Sequence, residues 1–122
     1  MPSKTVLVVE DDFRLLRLYS RIIKMAGYTV HQAATVQAAV ELLSKHDYDV
    51  CITDMEIGYH KGLDVLSIFV PSLDRGAHMI VVSGYDHYRD VATSIGADFL
   101  IKPVDKHDLI EIIESSGDFS YA

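Results

Sequence analysis

The chain has 122 residues, 49% of them hydrophobic and 24% charged, with a formal net charge of −7. That composition is ordinary for one globular domain with its own core and excludes disordered and fibrous classes, and the acidic balance argues against a direct grip on nucleic acid, which needs clustered Lys and Arg. Cys51 is the only cysteine, so no internal disulfide can form, and neither a signal-peptide h-region nor an apolar run of membrane-spanning length is present. The expectation is a single domain over residues 1–122, cytoplasmic and away from membranes.

Short apolar runs alternate with helical patterns five times, the rhythm of an α/β protein with a parallel sheet covered by helices on both faces. The first strand is predicted over Thr5–Val9, an unbroken apolar run suited to burial on both sides, and three acids end it: Glu10, Asp11 and Asp12. A helix follows from Phe13 to Ala26, with Leu15, Leu18, Tyr19 and Ile22 as its inner stripe and Gly27 as its stop. The second strand covers Thr29–Ala33. Thr35 then caps a helix whose Val36, Ala39, Val40 and Leu43 are expected to face inward. The third strand, Asp49–Thr53, runs into Asp54.

A loop with Gly58 and Gly62 leads to a third helix carrying Leu63, Leu66 and Val70, expected to stop near Pro71. The fourth strand, His78–Val82, delivers Ser83 and Gly84, and a helix from Tyr88 to Ile95 closes at Gly96. The fifth strand is short, Phe99–Ile101. It presents Lys102 and Pro103, after which Asp105 caps a last helix with Leu109, Ile112 and Ile113 inward. The stretch 116–122 loses periodicity and reads as a frayed end or a linker. The six histidines show no metal-ligand spacing and are assigned to the surface, whereas Cys51 is assigned to the core.

In open parallel sheets ligands bind beyond the carboxyl ends of the strands, and four strands here end in reactive side chains: Glu10, Asp11 and Asp12; Asp54; Ser83; Lys102. Two carboxylates about 4 Å apart repel by roughly 4 kcal/mol at an effective dielectric near 20, so the group calls for a cation. Magnesium suits it, since it takes one or two carboxylates together with water and phosphate oxygens. Beside such a charge Asp54 is a candidate carboxylate nucleophile toward phosphorus, Lys102 a group to hold a phosphate oxygen, and the Ser83 hydroxyl a donor to another.

These residues, in this order and spacing, resemble the receiver domain of bacterial two-component response regulators, and the likeness runs from Lys4 to about Ser115. The resemblance implies a flavodoxin-like doubly wound (βα)5 three-layer sandwich with strand order 2-1-3-4-5 and a cis Lys102-Pro103 bond. It also implies bound Mg2+ and phosphotransfer to Asp54 from a sensor histidine kinase or histidine phosphotransfer protein. By position, Asp11 and Asp54 become direct metal ligands, Glu56 a ligand through its backbone carbonyl, Glu10 a ligand through water, and Asp12 a helix cap. Ser83 and Phe99 become the switch pair that relays phosphorylation to the face of the fourth helix, fifth strand and fifth helix (α4-β5-α5), through which a homodimer or an output partner is expected. Glu56 and Tyr85 fall where members tune the lifetime of the phosphoryl group.

Two departures stand out. Gly58 replaces the usual proline four residues after the acceptor, predicting a looser loop, and Phe99 replaces the commoner Tyr and so lacks a hydroxyl. Two alternatives stay open: a non-phosphorylated pseudo-receiver serving as an interaction module, and a magnesium-dependent phosphohydrolase of the haloacid-dehalogenase type with Asp54 as nucleophile. The output, the cognate kinase and the oligomeric state are not encoded in any motif.

Overall fold

A computed structural model describes residues 4–115. Five parallel strands, β1 (Thr5–Val9), β2 (Thr29–Ala33), β3 (Val50–Asp54), β4 (His78–Ser83) and β5 (Asp98–Ile101), form the main sheet in the spatial order β2-β1-β3-β4-β5. In the register Val6 lies between Val30 and Val50, Ile52 faces Ile80, and Ser83 faces Ile101. This is the doubly wound order that the resemblance implied. Chain direction across the sheet reverses between β1 and β3, and the ends of those two strands are where such folds open a crevice.

Successive side chains of a strand point to opposite faces, so the apolar runs feed two cores. On one face Val6, Val8, Ile52, Ile80 and Val82 meet α1 (Phe13–Met25) and α5 (Lys106–Glu114) through Leu16, Ile23, Leu109 and Ile113. On the other, Leu7, Val9, Cys51, Met79 and Val81 meet α2 (Val36–Lys45), a broken α3 (Leu63–Ser67 and Val70–Asp74) and α4 (Arg89–Ser94) through Ala39, Val65, Phe69 and Ala92. Every residue of β3 is buried as a result.

The helix ends follow local chemistry. Asp12, Thr35 and Asp105 cap α1, α2 and α5 with their side-chain oxygens, satisfying amides that the helices leave without partners. Gly27 ends α1 at φ +101°, a conformation that glycine adopts without a Cβ clash.

Three inner stripes differ from expectation. In α1 the buried positions are Leu16, Tyr19, Ser20 and Ile23, while Leu18 is 49% exposed. The spacing is helical, but the stripe includes a serine, so a reading by hydrophobicity alone rotates it. In α2 Val40 is 46% exposed, because Ala39 takes the place closest to the sheet. The third helix is two short pieces, Leu63–Ser67 and Val70–Asp74, with Leu63 and Val70 both exposed. Pro71 begins the second piece rather than ending the first: at the first turn of a helix its missing N–H costs no hydrogen bond.

Before α3 the chain forms a small antiparallel hairpin, Glu56–Ile57 against His60–Lys61, where a plain loop was expected. A single 3-10 turn, Asp86–Tyr88, precedes α4, so that helix starts one residue later than predicted. Among the described residues no helix is long and apolar enough to cross a membrane. The predicted loss of structure over 116–122 lies outside the described residues.

Candidate functional site at the carboxyl end of the sheet

Asp54 is the last residue of β3 and is 9% exposed, and Glu10, directly after β1, is 2% exposed. Lys102, directly after β5, lies between them: its ammonium donates to Glu10 Oε1 at 2.9 Å and also to Asp54 Oδ2. Three strand ends thus converge on one ion-paired cluster. Burial by itself disfavours the lysine charge, yet the hydrogen bonds to Asp54 and Glu10 outweigh it and hold the Lys102 pKa above the ordinary lysine value. For Glu10 the balance is opposite. Burial raises its pKa, the Lys102 hydrogen bond works downward and the Asp54 charge works upward, leaving it above the usual carboxylate range.

Asp54 Oδ1 accepts the backbone N–H of Glu56 at 3.1 Å, and Asp11 Oδ2 accepts the N–H of Gly58 at 2.9 Å. Ser83, fully buried at the end of β4, follows Val82, the register partner of Asp54. Its hydroxyl accepts the N–H of Tyr85 at 3.0 Å, and its carbonyl accepts the N–H of Lys102 at 2.8 Å. The Lys102-Pro103 bond is cis. The Asp54 carboxylate, the Lys102 amine, the acids after β1 and the Ser83 hydroxyl therefore stand at the carboxyl ends of neighbouring strands.

A family model described as the response regulator receiver domain matches residues 6–114. The chain belongs to that family. The acid tolerance regulatory protein ActR of Sinorhizobium medicae is 29% identical over 96% of this receiver, which spans 62% of the length of ActR. The alginate biosynthesis transcriptional regulatory protein AlgB of Pseudomonas putida is 32% identical over 80% of the receiver, which spans 22% of AlgB. Among solved structures, a CheY-like response regulator receiver domain protein from Methanospirillum hungatei is 28% identical and superposes with a TM-score of 0.84, covering 95% of this chain and 94% of that one. The family is one of regulators of two-component signalling, whose receiver domains work with histidine kinases and output domains.

Close to Asp54, the Gly58 departure has a local reason. Gly58 stands at φ +62°, at the bend of the hairpin, and donates the N–H that Asp11 accepts. Proline can neither adopt that φ nor supply that donor. The segment expected to be looser is folded into a hairpin tied at Gly58 to Asp11, while the N–H of Gly62 donates to the Met55 carbonyl at 2.9 Å.

Phe99 is half-buried on β5, and the Arg89 guanidinium lies 4.7 Å over its ring, itself bonded to Asp86 at 2.9 Å. The Phe99 ring, which has no hydroxyl, thus carries a cation on its face. Tyr85 is 54% exposed and lies against His87, with ring centroids 5.6 Å apart.

The donor chemistry of the rim fits a hard divalent cation. Glu10, Asp11 and Asp54 supply carboxylate oxygen, and Lys102 is the cation that bonds two of them. Among the described residues no three acids, histidines or cysteines are already gathered around one point. Magnesium does not require it, since one or two carboxylates suffice when water and phosphate oxygens complete the octahedron.

Two histidines differ from the surface assignment. His78 Nε2 lies 2.7 Å from Asp98 Oδ2 with its side chain 10% exposed, and His31 Nδ1 is 2.7 Å from the Tyr48 hydroxyl. Cys51 is buried as expected, and burial pushes its thiol up to about 12. Sequence reasoning missed Tyr88, whose hydroxyl donates to Glu56 Oε2 at 2.8 Å. No motif marks it, since it stood in the sequence only as the start of a helix.

Proposed function

We propose that this receiver is a phosphorylation switch of a two-component or phosphorelay system in which Asp54 accepts the phosphoryl group. The observation that carries the reading is the buried Asp54 carboxylate at a strand end, joined through Lys102 to the buried Glu10. An Asp54 oxygen attacks phosphorus of a phosphohistidine on a sensor histidine kinase or phosphotransfer protein. The P–N bond breaks, and its electron pair returns to the imidazole. Asp11, Asp54, the Glu56 carbonyl and, through water, Glu10 would hold Mg2+, which when bound neutralises charge on the phosphoryl oxygens.

Lys102 then holds one phosphoryl oxygen and the Ser83 hydroxyl donates to another. The state that brings Ser83 to the phosphoryl group is favoured by that bond, and Ser83 with Phe99 relays it to the α4-β5-α5 face. Output is delivered there to another domain or protein or to a second copy of the chain, in the cytoplasm. Incubation with acetyl phosphate and magnesium should add one phosphoryl mass to the protein and none to Asp54→Asn. No mass gain with any donor, a histidine kinase included, overturns the proposal.

A further inference from the structure

Tyr88 lies in the 3-10 turn between β4 and α4, is 9% exposed, and aims its hydroxyl at Glu56 Oε2 across 2.8 Å. Glu56 stands two residues after Asp54 and donates its own N–H to the Asp54 carboxylate. Its side chain therefore begins beside the reacting group. A glutamate has several rotatable bonds, and a free carboxylate in this position can turn toward the acceptor and take a proton from an attacking water. The phenol occupies one of its oxygens and holds it on the β4–α4 side.

The hold is well made from both ends. The Tyr88 ring packs 4.2 Å from the His87 ring, and a Cβ on Gly62 would sit 3.8 Å from the Tyr88 ring. The hairpin that carries Glu56 is thus pinned at Gly58 by Asp11 and at Glu56 by Tyr88. One tie leads to the expected metal side of the site and the other to the first turn of the output helix.

We propose that Tyr88 is a positioning residue for Glu56 and that their hydrogen bond lengthens the lifetime of the phosphoryl group on Asp54. This rests on Asp54 being the acceptor. It also couples lifetime to output: movement of the Ser83–Tyr88 segment toward the phosphoryl group pulls on the residue that restrains hydrolysis.

The experiment is decay of the phosphorylated full chain, loaded with acetyl phosphate and magnesium and followed by intact mass after donor removal. Tyr88→Phe removes only the hydroxyl and should shorten the lifetime by about tenfold or more, the weight of one hydrogen bond to a charged group. In a Glu56→Gln background, which keeps the acceptor oxygen but cannot take a proton, adding Tyr88→Phe should leave the lifetime unchanged. A purely structural role for Tyr88 would instead shift both backgrounds equally. If the wild type loads and Tyr88→Phe decays at the wild-type rate, or if the acceleration persists in Glu56→Gln, the inference is overturned while Asp54 remains the acceptor. If the wild type takes no phosphoryl group from any donor, the acceptor reading itself fails and this one falls with it.

Discussion

The two ends of the sheet treat acidic residues differently. At the amino end Asp49 accepts the Thr5 N–H at 2.8 Å, Asp98 lies 2.7 Å from His78, and Asp47 lies 3.2 Å from Arg75. Each of these three acids has a partner of its own. At the carboxyl end Glu10 and Asp54 share the ammonium of Lys102, and Asp11 accepts the Gly58 N–H. Matched pairs balance their charges locally, whereas two buried carboxylates sharing one ammonium leave a site that gains from a further cation. The contrast locates function by charge accounting rather than by cavity shape.

Replacing Lys102 tests the contrast most severely. Lys102→Met leaves Glu10 and Asp54 facing each other in a buried setting and should cost about 3 kcal/mol of stability at pH 7.5, read from urea unfolding. The sign of its pH dependence follows from Glu10. Its folded pKa is already raised, so the stability of its protonated form is present below the ordinary value of 4.5 and is lost as pH rises through the folded pKa. Without the lysine, which works downward on that pKa, the loss extends to higher pH, so the penalty should shrink between pH 7.5 and pH 5. A penalty that stays flat over that range would mean the two carboxylates are not coupled through Lys102.

A smaller effect is expected at Gly58. A Cβ there meets nothing within 4 Å, so Gly58→Ala should cost only the left-handed backbone conformation, about 1 kcal/mol by chemical denaturation. A loss several times larger would show that the hairpin is tied more tightly than its hydrogen bonds indicate. The smallest change belongs to the amino end. Arg75 and Asp47 are both well exposed, and Arg75→Ala should alter stability by less than about 0.5 kcal/mol, because solvent screens such pairs. A larger loss would erase the distinction between the two ends.

Much of the fold is readable from the residues because central parallel strands are buried on both faces and so appear as apolar runs: Thr5–Val9 matches its predicted bounds, and β3 and β4 are displaced at most by one residue at an end, while the edge strand Thr29–Ala33, which is mixed in polarity and mostly not buried, also keeps its predicted bounds. Caps were readable for the same local reason, since a side-chain oxygen bonds an amide two or three residues away. Helix phase was not. Ser20 lies buried in α1 while Leu18 is exposed, and only packing against the sheet decides which of two adjacent stripes turns inward.

What the residue order determined by itself is the alternation of strands and helices, and hence which side chains stand at the carboxyl ends of strands: Glu10, Asp54, Ser83 and Lys102 follow their apolar runs wherever those runs are laid. Tertiary structure alone decided that Lys102 joins residues 92 and 48 positions away, that Gly58 donates to Asp11, and that Tyr88 reaches Glu56. Those bonds link chain segments far apart in sequence, and their formation depends on the order and spacing of strands in space, which no local propensity encodes.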